Sequence, residues 1–213
     1  MSNSRIGVII PVKTFSRAKT RLNLSPEKTE KICEIMLESV LQTVSHSDLI
    51  EKTVLVSKDE KALSMGKKFG ALGIYDESEQ GVNSAVLLAD SYFLQEDFEA
   101  TMVFPQDIPL IQPEDIQTLY QMRTSNRCVL VVPSRKFDGT NALFRTPTNV
   151  METHYDEDSY KIHLNTAEKR NASSALVLIR RIMLDIDDQS DLSFILSFSD
   201  TEIANSLKKI LDL

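Results

Sequence analysis

The sequence predicts an α/β protein with helices layered on a mostly parallel sheet, and three observations carry that prediction. Short β-branched runs alternate with amphipathic segments along the chain, the order that joins parallel strands through crossover helices. The first run, Ile6 to Val12 (IGVIIPV), is apolar throughout, as a strand buried on both faces must be. With 213 residues, 42% of them hydrophobic, the chain can bury a substantial core as one domain.

The elements follow in order. After the first strand, Ser25-Pro26-Glu27 supplies a capping residue, a first-turn proline and a first-turn acid, so a helix begins there. Ile32, Met36, Val40 and Val44 recur down one face of it, a spacing that belongs to core packing. Thr53 to Ser57 reads as the second strand, Lys58 to Phe69 as a helix closed by Gly70, and Ala71 to Tyr75 as the third strand. A helix over 82–96, a strand over Thr101 to Phe104 and a helix over 113–124 lead to the apolar strand CVLVVP at 128–133. There follow ALF at 142–144, a helical segment around 159–170, the run ALVLIRRIMLDID at 175–187, and a C-terminal amphipathic helix from about residue 200. Ile203, Leu207 and Ile210 share one face of that last helix. No repeat, low-complexity tract or Gly/Ser linker divides the chain, so residues 1–213 are expected to form a single domain.

Composition removes several function classes. A formal net charge of −7 does not suit a general nucleic-acid binder. Cys33 and Cys128 are the only cysteines, too few for a disulfide scaffold or a thiolate zinc site and in keeping with a reducing compartment. His46, His154 and His163 show no metal-ligand spacing. The apolar start is shorter than the roughly 20 residues that span a bilayer, so a soluble, cytoplasmic protein with no membrane partner is expected.

In parallel sheets ligands sit at the carboxyl ends of the strands, and four loops there are unusual. PVKTFSRAKTRL at 11–22 gathers Lys13, Arg17, Lys19 and Arg21 with no acid between them. In an acidic protein such a loop either holds something more negative than the protein or is simply a solvated surface. FPQDIPLI at 104–111 places Asp107 between two prolines, which stiffen the backbone around the carboxylate, although a plain turn cap would look the same. DGTNALF at 138–144 offers the hydroxyl of Thr140 and the amide of Asn141 beside Gly139, and a hairpin turn accounts for it equally well. In LDIDDQSDL at 184–192, Asp185 and Asp187 are two apart in a strand-like run and so project from one face. Two neighbouring carboxylates repel unless a cation or a proton lies between them, which suggests an oxygen-ligand Mg²⁺ site or a strand end fraying into solvent. Taken in order, these loops could bring phosphates, a divalent metal and polar donors to one place.

Together with Gly81-Val82-Asn83-Ser84-Ala85 and with Ser159 four residues before His163, these loops resemble the 2-phospho-L-lactate guanylyltransferase (CofC) family over nearly the whole chain. The resemblance implies a three-layer, Rossmann-like nucleotidyltransferase fold with a mostly parallel mixed sheet. Relatives in that wider fold usually carry a Gly-Gly-rich first loop, where this chain has the lysine-arginine version. The implied reaction joins the GMP part of GTP to a small phosphorylated three-carbon acid (2-phospho-L-lactate, phosphoenolpyruvate or 3-phosphoglycerate), releases pyrophosphate, and serves coenzyme F-420 biosynthesis. Asp107, Asp185 and Asp187 would hold Mg²⁺, and Lys13, Arg17, Lys19 and Arg21 would face the triphosphate as the catalytic cations. Pro11, Val12, Lys13, Gln80, Gly81, Asn83 and Pro105 would bind the nucleotide. Thr140, Asn141, Ser159 and His163 would lie with the acid, His163 reading as a structural hydrogen-bonding group rather than a base. A homodimer is also implied.

The chain departs from that family just before Ser159. Tyr155-Asp156-Glu157-Asp158 places acids where the family has a glycine-rich turn, and carboxylates there would repel an anionic acceptor unless they point outward or bind a cation. The chemistry itself needs little more than charge and position. Each close like-charge pair costs about 4 kcal/mol at an effective dielectric near 20, and a phosphate oxygen is already ionised at neutral pH. In-line positioning and charge neutralisation therefore suffice, without a nucleophile or general base. The alternatives are a nucleotidyltransferase of the same fold with another acceptor, such as a sugar or cofactor phosphate, and a non-catalytic nucleotide-binding protein.

Overall fold

β1 (Ile6–Val12) is central to a sheet whose other strands are β2 (Lys52–Ser57), β3 (Leu72–Tyr75), β4 (Ala100–Val103), β5 (Cys128–Pro133), β6 (Thr140–Thr146) and β7 (Ser173–Leu176). The structure is a computed structural model, and it describes residues 5–155, 158–198 and 201–213. The strand order is β3-β2-β1-β4-β6-β5-β7. β1 pairs in parallel with β2 and β4, β2 with β3, and β5 with β7. β6 alone runs against its neighbours, β4 and β5. Its first residues therefore lie at the edge where the parallel strands end.

The helices are α1 (Pro26–Ser45), α2 (Glu60–Lys68), α3 (Val82–Gln95), α4 (Pro113–Gln121), α5 (Ser159–Lys169), α6 (Gln189–Leu196) and α7 (Glu202–Leu211). They divide between the two faces of the sheet and so make three layers. On one face Val8, Ile10 and Val12 pack with Ile32 and Met36 of α1, Ile116 of α4 and Leu207 of α7. On the other Ile9, Val54 and Val56 pack with Val86, Ala89 and Phe93 of α3 and Ala167 of α5. Such alternation along one strand is what two covered faces require. Gly7 sets the distance between β1 and α3, because a Cβ at this position would lie 2.3 Å from the Phe93 ring. No helix among the described residues is long and apolar enough to cross a membrane.

The predicted caps are in place. Ser25 Oγ accepts the Lys28 N–H at 3.3 Å with Pro26 opening α1, and Asp59 caps α2. Three expectations need correction. Only residues up to Leu176 of the 175–187 run are strand, so Asp185 and Asp187 do not sit on one. The chain instead leaves the sheet edge and crosses back over the ends of the strands, anchored by the buried Ile179, Ile182, Leu184 and Ile186. The apolar run at 142–144 is the middle of a longer strand, since β6 extends from Thr140 to Thr146. α6 was not expected at all, although its signal is present: Asp188 accepts the N–H groups of Ser190 and Asp191, and Asp191 returns the contact to the Asp188 N–H.

Candidate active site

The cationic loop leaves β1 and is fixed by groups from two other loops. Glu79 Oε1 accepts the Thr14 N–H at 2.6 Å, and Asp59 Oδ2 accepts the Phe15 N–H at 3.0 Å. Phe15 and Leu22 are buried in the core, so the loop is pinned at both ends; Lys13, Arg17 and Arg21 stay exposed while Lys19 turns inward. Lys19 takes a left-handed conformation (φ 53°) between two short 3₁₀ turns. Its ammonium lies between the carboxylates of Asp107 and Asp187. Arg21 Nη2 reaches Asp187 Oδ2 at 2.8 Å, Arg17 Nη1 lies 3.4 Å from Glu79 Oε2, and Lys13 is exposed on the cleft wall.

The acidic side is drawn in by the backbone. The Ile186 N–H donates to the Asp107 carbonyl at 3.0 Å, which stitches the crossing segment to the double-proline turn. Leu184 and Ile186 point into the core, and the intervening Asp185 and Asp187 line the cleft. Asn141 Nδ2 donates to Asp185 Oδ1 and to the Ile182 carbonyl, both at 3.0 Å. Burial, then the negative charges of Asp107 and Asp187, push the Asp185 carboxyl up to about 6 despite the Asn141 bond. Burial opposes ionisation of Asp187 as well, but Lys19, Arg21 and Lys136 outweigh it and hold its carboxyl below the usual range. Burial disfavours the Lys19 ammonium, but the carboxylates of Asp107 and Asp187 outweigh it and raise it above the ordinary lysine value. As they stand, no three acids or histidines among the described residues close on one point. Lys19 occupies the space between two of them. The donor set is nonetheless all carboxylate oxygen, the kind that holds a hard divalent cation.

Opposite this cluster, Ser159 opens α5 and its Oγ lies 3.0 Å from Thr140 Oγ1, which is 3.0 Å from His163 Nδ1. Asp158 is exposed, pairs with Lys161 at 3.1 Å, and donates its N–H to the Asp138 carbonyl. One of the three acids before Ser159 thus points outward; Asp156 and Glu157 lie outside the described residues.

These groups line one cleft of about 960 Å³ at the carboxyl edge of the sheet. Of the residues predicted for the site, Pro11, Val12, Lys13, Arg17, Lys19, Arg21, Gln80, Gly81, Pro105, Asp107, Thr140, Asn141, Ser159, Asp185 and Asp187 line it. Asn83 and His163 stand behind the wall. Asn83 Oδ1 accepts the Tyr155 N–H at 2.8 Å, which ties α3 to the segment before α5, and His163 is fully buried behind Thr140. The sequence reading missed Asp76, Glu79, Gln106, Ser134, Asp138 and Tyr155 on the wall. Asp76 could have been found: Asp76-Glu77-Ser78-Glu79 forms an Asx turn in which Asp76 Oδ1 accepts the Ser78 hydroxyl and the Glu79 N–H. Glu79 is consequently held at φ 45° and aimed at the cationic loop. Burial opposes its ionisation, but the Thr14 N–H, Arg17 and Lys13 keep its carboxyl below the ordinary glutamate value.

Comparison with known proteins gives one family. The family model described as guanylyl transferase, CofC-like, matches residues 6–212. The chain is 32% identical over 204 residues to a 2-phospho-L-lactate guanylyltransferase of Methanocaldococcus fervens, covering 94% of this chain and 89% of that protein. It is 28% identical over 187 residues to a phosphoenolpyruvate guanylyltransferase of Conexibacter woesei, covering 86% and 84%. Among solved structures, the fold matches 4-diphosphocytidyl-2C-methyl-D-erythritol synthase from Anaerococcus prevotii with a TM-score of 0.66 at 12% identity, covering 93% of this chain and 97% of that one.

Proposed function

The chain belongs to the CofC-like guanylyl transferase family, and from that premise we propose that it moves GMP from GTP onto a small phosphorylated three-carbon acid, releasing pyrophosphate for the assembly of coenzyme F-420. The observation that carries this reading is a convergence. Lys19, from the loop after β1, meets Asp107, after β4, and Asp187, from the segment beyond β7. Groups so distant along the chain meet where two anionic reactants would have to be brought together.

In this reading the triphosphate lies along Lys13, Arg17, Lys19 and Arg21, whose charges offset the repulsion between donor and acceptor. The nucleoside lies against Pro11, Val12, Gln80, Gly81 and Pro105. Asp107, Asp185 and Asp187 would hold Mg²⁺, which when bound supplies positive charge at the transferring phosphate. Their all-oxygen donor set fits a cation of that kind, and such a cation would favour the ionised form of Asp185, which burial and then the charge of Asp107 oppose. Thr140, Asn141 and Ser159 receive the acid. Its phosphate oxygen attacks without a base, so the protein's work is alignment and charge stabilisation.

The test is to incubate GTP and Mg²⁺ with 2-phospho-L-lactate, phosphoenolpyruvate and 3-phosphoglycerate in turn and to follow pyrophosphate. Release with one of the acids is expected, and silence with all three would defeat the assignment. Asp107→Asn should reduce release by at least about 100-fold, on the scale of one lost electrostatic group at a reacting centre, while the far-UV spectrum is kept. Near-normal turnover in that variant would rule out the metal-site assignment.

A further inference from the structure

Behind the acid-binding corner runs a short chain of side chains whose protons can be counted. His163 lies four residues into α5, is 0% exposed, and stands apart from the cleft wall. Its Nε2 is 2.9 Å from the backbone nitrogen of His154. A backbone N–H can only donate, so Nε2 meets it with a lone pair and carries no hydrogen. An imidazolium is excluded by the same contact, because its Nε2–H would face another N–H. The single ring proton is therefore on Nδ1, and it is donated to Thr140 Oγ1 at 3.0 Å.

Two hydroxyl hydrogens remain, those of Thr140 and Ser159. One occupies the 3.0 Å contact between them. The other finds no acceptor among the described residues and is left for the cleft, which both residues line. With the ring proton on Nε2 instead, the Thr140 hydroxyl would be drawn to Nδ1 and the Ser159 hydroxyl to Thr140. The corner would then turn only lone pairs toward a ligand.

We infer that His163 is a positioning residue for the acceptor: its proton, held on Nδ1 by the His154 N–H, compels the Thr140–Ser159 pair to offer one O–H to an anionic oxygen of the phosphorylated acid. The role presupposes the guanylyl transfer reading above. It explains why a residue that does not touch the cleft can set what the cleft accepts, namely an acid group in place of a ligand that must itself donate.

Two measurements decide it. Long-range ¹H–¹⁵N spectra of the imidazole in the wild-type protein should show His163 protonated on Nδ1 and bare on Nε2 between about pH 5 and 8, the range over which an ordinary histidine changes charge. The opposite tautomer, or titration within that range, would overturn the inference. In steady-state kinetics His163→Leu should raise KM for the accepted acid by about 10- to 100-fold, the worth of one hydrogen bond to a charged group, with KM for GTP changed less than about two-fold. His163→Asn, whose amide nitrogen can stand near Nδ1 and donate, should recover most of that loss, and Thr140→Val should not. An unchanged acid KM in His163→Leu, a parallel rise in both KM values, or no recovery with Asn would each refute it. If wild-type protein turned over none of the acids, the functional reading would fail instead, and the nitrogen spectrum would still decide the tautomer.

Discussion

At the scale of single residues the molecule is a set of charges placed by burial. His163 illustrates what burial does to a titratable group. Its enclosure, followed by the electrostatic influence of neighbouring His154 and Arg145, lowers its imidazole to about 3, and the ring of Tyr155 packs against it at 4.9 Å between centroids. In the unfolded chain the same group titrates near 6.5. Between those values the unfolded chain binds a proton that the folded one refuses, so stability falls as the pH drops from about 6.5 toward 3 and levels off below. Above 6.5 the group contributes no pH dependence. Urea unfolding at pH 7 and pH 4.5 should show wild-type protein losing roughly 2–3 kcal/mol more than His163→Asn, two pKa units being worth that much; equal losses would contradict the neutral assignment. Residue types were the most legible part of the site. The cations of 11–22 and the three aspartates stood out in their loops, but each loop alone also read as plain surface or turn, and only their order and the family resemblance grouped them. What the sequence hid was partnership. Nothing in it says that Glu79 clamps the Thr14 N–H, or that Arg145 is fully buried and held by both oxygens of Asp90 at 2.8 and 2.6 Å.

At the scale of elements, strands covered on both faces announced themselves and irregular segments imitated them. Residues 182–187 alternate between buried and half-buried because Ile182, Leu184 and Ile186 face the core, a period-2 pattern that a strand shares with any extended chain lying on a surface. The expectation that Asp185 and Asp187 point the same way survives for that reason, although the segment has no ladder partner. α6 was lost for the opposite reason: its capping acids stood inside a run already read for its charge. The contact between β1 and α3 offers a direct test of packing. Gly7→Ala places a methyl group against the Phe93 ring, where neither β1, pinned between β2 and β4, nor the buried ring can yield freely. It should cost about 1–3 kcal/mol, read from the urea midpoint. Adding Phe93→Leu should return part of that loss, as expected for residues in contact. A Gly7→Ala protein as stable as its parent would show that the layers are not in register at this point.

At the scale of the whole molecule a chain of net charge −7 keeps a basic loop by pairing most of it with its own acids. Lys19, Arg21 and Arg17 are all engaged by carboxylates, so entry of the proposed triphosphate would be an exchange of ion partners rather than the filling of a bare positive surface. Mg²⁺ and GTP together should therefore raise the melting temperature more than the sum of their separate effects. At a hundred-fold excess over Kd the joint gain is about 2.7 kcal/mol, or roughly 5–10 °C for a domain of this size. Simple additivity of the two separate shifts would argue against the exchange. The three-layer architecture was legible from the order of its elements. The reversal of β6 was not, since direction leaves no mark on an apolar run.

That reversal has a consequence for how such enzymes can diversify. Because β6 starts where its neighbours finish, the stretch 134–163 carries Thr140, Asn141 and Ser159 together with the histidine behind them, while the wall proposed for the nucleoside comes from β1, β4 and the turn before α3. Transplanting that stretch between two homologues that take different acids should transfer the taste for the acid and leave the choice of base with the recipient. A chimera in which both preferences moved together would mean that the two ends of the cleft are not independent modules.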